Sequence, residues 1–268
     1  MSGIRGVFDR LDGEGALVAY VMGGDPNPSL SRKVVEAVIA GGADIIELGV
    51  PFSDPMADGR SIQEAAVRSL SSGTTPADVL ELVKDVKARH DMPVAIMTYY
   101  NILYSPGLEG FLRRARRAGV DGIIVPDLPL DETGDYSRIA RKNGIDTILL
   151  AAPTTTPQRM RSLAEHTSGF LYLVSLLGVT GARSDLRAST VELIQSAKKC
   201  TKGRVPLGVG FGISTQAHVR SVIEAGADAA IVGSGIVNKV ARHEGRQRAM
   251  LQEVENYVRS LKTGTKLK

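Results

Sequence analysis

An acidic residue in the middle of an apolar run is the first sign of chemistry in this chain. Glu47 stands in Ile45-Ile46-Glu47-Leu48-Gly49-Val50, and the loop that follows carries Asp54 and Asp58. A strand buried on both faces reads as a near-continuous hydrophobic run. A carboxylate inside one must be neutralised, paired or put to work, because burying an isolated charge is expensive. Side chains alternate along a strand. Ile46, Leu48 and Val50 therefore share one face, suited to packing under helices, while Ile45, Glu47 and Gly49 share the other. Glu47 and Asp58 could face one ligand. A carboxyl group whose pKa is raised by apolar surroundings is suited to general acid–base work.

A second set of residues lies late in the chain. Gly208-Val209-Gly210-Phe211-Gly212-Ile213-Ser214 ends one apolar run, and Val232-Gly233-Ser234-Gly235 ends the next. Each opens a helix. Helix N-termini offer free N–H groups, and glycine lets the backbone approach an anion closely. Gly178-Val179-Thr180-Gly181 could close over the same group. Asp127, in Val125-Pro126-Asp127-Leu128-Pro129, is read equally well as a turn residue. Tyr99, Tyr100 and Asn101 follow one strand and Tyr172 lies on another, suiting either a flat apolar ligand or core packing. No Lys falls at a strand end, which argues against a Schiff-base mechanism. The four histidines fall on helices or helix ends and form no metal constellation. No G-x-S-x-G, P-loop or dinucleotide fingerprint is present. The residues point to carboxylate acid–base chemistry on a phosphorylated small molecule, with no cofactor.

The elements that must position these residues are legible from periodicity. Eight β-branched apolar runs are expected strands: Ala16–Met22, Asp44–Val50, Pro93–Thr98, Gly122–Val125, Asp146–Leu150, Gly169–Ser175, Val205–Gly210 and Ala229–Gly233. Amphipathic helices separate them, for example Ser29–Ala40, Pro76–Arg89, Leu108–Ala118 and Gln216–Ala225. A short motif recurs at Ala40-Gly41-Gly42-Ala43-Asp44, Arg117-Ala118-Gly119-Val120-Asp121, Lys142-Asn143-Gly144-Ile145-Asp146 and Glu224-Ala225-Gly226-Ala227-Asp228. In each copy a helix ends, Gly takes the left-handed cap, and Asp precedes an apolar run. Strict βα alternation implies parallel strands. Eight units in this length fit an α/β class fold, the (β/α)8 TIM barrel, as one domain over residues 1–268. A short N-terminal helix is expected before it, and a frayed tail at Lys262-Thr263-Gly264-Thr265-Lys266. A doubly wound sheet would want a glycine fingerprint in its first βα turn; Gly23-Gly24-Asp25-Pro26 stands there instead. In a barrel the function sits on the loops after the strands, and two of these are long: Pro51–Arg60 and Leu176–Ala188.

Bulk properties exclude several classes. The 268 residues are 43% hydrophobic and 23% charged, which is globular composition. The net charge of +4 is small, and basic clusters such as Arg113-Arg114-Ala115-Arg116-Arg117 fall at the spacing of a solvated helix face. The absence of Trp and of any nucleic-acid motif weakens a nucleic-acid role. Cys200 is the single cysteine, so no intrachain disulfide can form and a reducing cytoplasm is the expected location. No apolar stretch approaches the roughly 20 residues of a membrane helix, and no signal-peptide pattern opens the chain.

At these residues the chain resembles the tryptophan synthase α subunit family. The resemblance runs through Glu47-Leu48-Gly49-Val50-Pro51-Phe52-Ser53-Asp54-Pro55-Met56-Ala57-Asp58-Gly59 and Ile62-Gln63. It is supported by Gly24-Asp25-Pro26, Asp127-Leu128-Pro129, Gly178-Val179-Thr180-Gly181, Gly210-Phe211-Gly212-Ile213-Ser214 and Gly233-Ser234. The resemblance implies a (β/α)8 barrel lyase that cleaves indole-3-glycerol phosphate to indole and glyceraldehyde 3-phosphate. It implies Glu47 as the main acid–base residue and Asp58 as partner of the indole N–H. Thr180 would help position Asp58, and Gly181, Gly212, Gly233 and Ser234 would bind phosphate. Tyr20, Tyr99, Ile124 and Tyr172 would line the indole pocket. It further implies an α2β2 heterotetramer, with pyridoxal phosphate on the β subunit and Asp54 and Pro55 facing that partner. Arg60 stands where the family usually places Pro, Leu176-Leu177 where more polar residues are frequent, and Tyr20 where Phe often occurs. Two rival readings are a different phosphate-binding barrel enzyme, such as a sugar-phosphate epimerase, and a non-catalytic activator of a β partner. The first leaves the 47–58 stretch without a reason, and the second has no use for a strand-buried Glu.

Overall fold

A computed structural model describes residues 3–11, 13–175, 188–243 and 245–266. Among them nine parallel strands form one sheet: β1 (Ala16–Met22), β2 (Ile45–Gly49), β3 (Val94–Met97), β4 (Gly122–Ile124), β5 (Asp146–Ile148), β6 (Leu150–Ala151), β7 (Leu171–Val174), β8 (Leu207–Gly210) and β9 (Ala229–Val232). Their order is β5-β4-β3-β2-β1-β9-β8-β7-β6. The two ends of that order are halves of one expected strand, parted at Leu149. β5 pairs with β4 and β6 with β7, and the Leu149 carbonyl accepts the Tyr172 N–H at 2.9 Å. The stagger of a barrel thus makes its fifth strand change partners midway, and the ring closes.

Alternation divides the core into two layers. Val18, Tyr20 and Met22 point inward with Ile45, Ala95, Met97 and Ile231. Leu17, Ala19, Val21, Ile46 and Leu48 point outward under the helices. The expected inward direction of Glu47 follows from the same register, which sets it opposite Tyr20 of β1 and Ala95 of β3. The N-terminal helix Ile4–Arg10 closes the amino end of the barrel. Its Ile4 lies so near Gly122 that a Cβ there would meet the isoleucine at 2.4 Å.

The repeated Gly–Asp motif has a physical role at both residues. Gly42, Gly119, Gly144 and Gly226 adopt φ of 96°, 96°, 67° and 103°, the left-handed region that favours glycine. The aspartates then bind the preceding strand: Asp44 accepts the Leu17 N–H (2.7 Å), Asp121 the Val94 N–H (2.8 Å) and Asp228 the Leu207 N–H (2.7 Å). Asp146 instead accepts the Ser168 hydroxyl at 2.8 Å.

One expectation is corrected. The tail around residues 262–266 is not frayed. The last helix runs Gln247–Thr263. Lys262 reaches Asp44 at 2.6 Å, and the Thr265 carbonyl accepts the Gly15 N–H at 3.0 Å, leaving Thr265 fully buried. Polar composition suggested a loose end; the carboxylate at the start of β2 supplies the anchor.

Candidate active site

The carboxyl ends of the strands enclose a cavity of about 300 Å³. Glu47, Asp58, Tyr20, Tyr172, Gly212, Gly233 and Ser234, all expected site residues, line it. Two tyrosines fit only because strand neighbours are glycines. A Cβ on Gly49 would meet the Tyr20 hydroxyl at 2.1 Å, and one on Gly210 would meet the Tyr172 hydroxyl at 2.3 Å.

Glu47 is 1% exposed, and its Oε2 has no hydrogen-bond partner among the described residues. A buried polar atom left unpaired needs a reason, and a ligand is one. Burial, aided by the charge of Asp58, pushes the Glu47 carboxyl up to about 8. Burial also raises Asp58, to about 6, against the opposing pull of a hydrogen bond from Tyr99. Near neutral pH the two carboxyls therefore differ, Glu47 holding its proton and Asp58 mostly ionised.

Asp58 is held by its loop. The Ala57 N–H donates to the Tyr99 hydroxyl at 3.0 Å, and Tyr99 stacks on Phe52 with ring centroids 5.0 Å apart. The Gln63 amide donates to the carbonyls of Asp58 (2.9 Å) and Pro55 (3.3 Å). Tyr99 thus reaches the site through this loop and through its hydroxyl's bond to Asp58, and is not among the residues that line the cavity. Ile124 packs in the inner barrel layer beside Met97, its partner in register, and likewise does not line the cavity. Asp127 accepts the Tyr100 N–H at 2.9 Å, at the start of the short helix Tyr100–Tyr104. Asp54 and Met56 are exposed on the rim, Met56 at 93%, with Pro55 between them half-buried. Arg60 is the first residue of the helix Arg60–Ser71, where proline is also favoured, and pairs with Glu64 at 2.8 Å. Thr180, Gly181 and Leu176-Leu177 lie outside the described residues.

Gly59, Ile62, Met97, Phe211, Ile213 and Ile231 also line the cavity and were not singled out as site residues. Alternation could have found Ile231, but Met97 needed the register of β3 against β2. Phe211 is the notable one. Its φ is 67°, a strained conformation for a bulky side chain. The Ser175 hydroxyl lies 2.7 Å from the Gly210 carbonyl and 2.5 Å from the Phe211 carbonyl, securing this turn. The result is an aromatic ring set edge-on to Tyr172, centroids 6.0 Å apart. Strain of this kind is found where a site requires it.

Gly233 and Ser234, also on the cavity wall, open the helix Ser234–Arg242, whose first amides have no partner within the helix. Gly212, at φ 81°, makes the adjoining turn. No Lys or Arg lines the cavity among the described residues, so the donors it offers are backbone amides and hydroxyls such as that of Ser234. No three His, Cys, Asp or Glu side chains converge to hold a metal among the described residues.

Fold and site together define a class: a (β/α)8 barrel with two carboxyls and two glycine-rich helix-opening loops around one largely apolar cavity at the carboxyl ends of its strands. The family model for the tryptophan synthase alpha chain matches residues 9–266. The tryptophan synthase alpha chain of Methanoregula boonei is 43% identical over 262 residues, covering 98% of both chains. That of Arabidopsis thaliana is 42% identical over 263 residues, covering 97% of this chain and 94% of its own. Among solved structures, a chain of the tryptophan synthase a2b2 complex from the hyperthermophile Pyrococcus furiosus superposes with a TM-score of 0.87. It is 38% identical and covers 92% of this chain and 98% of its own. The chain belongs to the tryptophan synthase alpha chain family, lyases that cleave indole-3-glycerol phosphate in tryptophan biosynthesis.

Proposed function

We propose that Glu47 and Asp58 divide the acid–base work of cleaving indole-3-glycerol phosphate. Glu47, protonated near neutral pH, delivers its proton to indole C3. The ring becomes an indolenine cation, and Asp58, as carboxylate, accepts a hydrogen bond from its N–H and offsets the charge. Glu47, now ionised, takes the proton from the hydroxyl on the carbon attached to C3. That carbon becomes the aldehyde of glyceraldehyde 3-phosphate, the bond to C3 breaks, and its electron pair returns the ring to neutral indole. Glu47 ends protonated, as it began. The observation that carries this assignment is the buried, unpartnered Oε2 of Glu47 facing a cavity that also contains Asp58.

The remaining roles complete the proposal. Tyr20 and Tyr172, with Ile124 behind them, provide apolar surface for the indole, and Tyr99 orients Asp58 through its loop. Gly212, Gly233 and Ser234 hold the phosphate with their amides, joined by Gly181, while Thr180 helps position Asp58. Asp54 and Pro55 meet a β subunit in an α2β2 assembly, and pyridoxal phosphate belongs to that subunit. The whole chain serves as one barrel domain acting in the cytoplasm; among the described residues no helix is long and apolar enough to cross a membrane. Glu47→Gln tests the assignment. Turnover should fall by roughly 10²–10⁴, the contribution of a general acid–base group, while substrate still binds. Near-normal turnover would remove Glu47 from the mechanism.

A further inference from the structure

The two loops of the phosphate cradle meet a third element that the sequence did not single out. Tyr257, on the last helix, donates its hydroxyl to the Ser214 carbonyl at 2.7 Å. Ser214 closes the turn that Gly212 begins. The same hydroxyl occupies the space beside Gly235, where a Cβ would meet it at 2.0 Å. Gly235 follows Gly233 and Ser234 at the start of the adjoining helix. One phenol therefore touches both halves of the cradle from behind, and residue 235 must lack a side chain for it to do so.

Tyr257 is itself fixed. The Lys239 ammonium lies 4.6 Å from its ring centroid, a cation–π contact. Lys239 is held by Glu253 at 2.7 Å, and Glu253 also pairs with His243. Burial pushes the Tyr257 hydroxyl up to about 12, so it stays a donor across the working pH range.

We infer that Tyr257 is a positioning residue for phosphate recognition, setting the spacing of the Gly212–Ser214 turn and the Gly233–Gly235 helix start without touching the substrate. The inference rests on the phosphate reading of those loops. Its consequence is selective: affinity for the phosphate end of the substrate depends on Tyr257, and affinity for the indole end does not.

The test uses Tyr257→Phe, which keeps the ring and the Lys239 contact and removes only the hydroxyl. Losing one hydrogen bond of ordinary strength corresponds to roughly a five- to tenfold change. We expect KM for indole-3-glycerol phosphate and the dissociation constant of glycerol 3-phosphate to rise by about that factor. The dissociation constant of indole and kcat at saturation should change less than about twofold. Gly235→Ala, which drives a methyl group into the hydroxyl, should give the same selective loss, and the double variant should be less than additive. Equal losses for glycerol 3-phosphate and indole, or no loss for either, would overturn the inference. Wild-type protein and Ser234→Asp separate the underlying reading. If glycerol 3-phosphate fails to compete in the wild type, or competes equally in Ser234→Asp, the phosphate reading falls and takes this inference with it. If competition behaves as expected there and Tyr257→Phe is unselective, only the role of Tyr257 fails.

Discussion

At the scale of single residues, the proposed chemistry depends on two carboxyls kept at different protonation states. That mechanism needs Glu47 protonated and Asp58 ionised. Plotted against pH, kcat/KM should therefore fall below about 6 and above about 8. Asp58→Asn should lower the rate and abolish the acid limb, while an unchanged acid limb would assign it to another group. The raised Glu47 carboxyl also has a stability signature. Its folded pKa of about 8 lies above the ordinary 4.5, so between those values the folded state holds a proton that the unfolded state releases. Glu47 therefore opposes folding increasingly as pH rises through that window, and the penalty is complete above about 8. Glu47→Gln should be the more stable protein at pH 9, by on the order of a few kcal/mol, and the difference should shrink towards pH 5. Urea unfolding of both proteins across that range measures it, and a difference independent of pH would contradict the burial of an ionisable Glu47.

At the scale of elements, the repeated Gly–Asp turns decide where strands start. The glycines were legible because a left-handed cap has a residue signature. The aspartates were legible as a repeat, but their purpose was not, since it lies in the N–H of a neighbouring strand far away in sequence. Asp228 illustrates this. Its carboxylate accepts the Leu207 N–H at 2.7 Å, across 21 residues. Asp228→Ala leaves that donor unpaired and should reduce stability by about 1–3 kcal/mol, with activity per folded molecule retained; an unchanged urea midpoint would contradict the role. The same limit explains the other differences. Leu149 splits the fifth strand because of what β4 and β7 each offer it, and the tail is ordered because Lys262 finds Asp44. The expected helices Pro76–Arg89 and Leu108–Ala118 match the observed ones residue for residue, because caps and periodicity are local. Glu47 and Asp58 were legible for a related reason. One breaks an apolar run, and the other follows it within a single loop. Phe211 and Met97 were not, because strain and register become visible only when the barrel is closed.

At the scale of the whole molecule, the proposed assembly has a β subunit meet the barrel at the rim around Asp54, Pro55 and Met56. Met56, exposed at 93%, stands on the same loop as Asp58. Met56→Asp should weaken association with a β subunit at least tenfold by titration calorimetry while leaving the fold intact; equal affinity would place the interface elsewhere. Indole release from indole-3-glycerol phosphate, followed for the wild type and Glu47→Gln, each with and without a β subunit, decides whether Glu47 carries the reaction. The chain has no Trp, so indole fluorescence is read without protein background. The expected result is release by the wild type, stimulation by the partner, and a loss of roughly 10²–10⁴ in Glu47→Gln under both conditions. Release that persists undiminished in Glu47→Gln, or no release from the wild type even with the partner present, would contradict it.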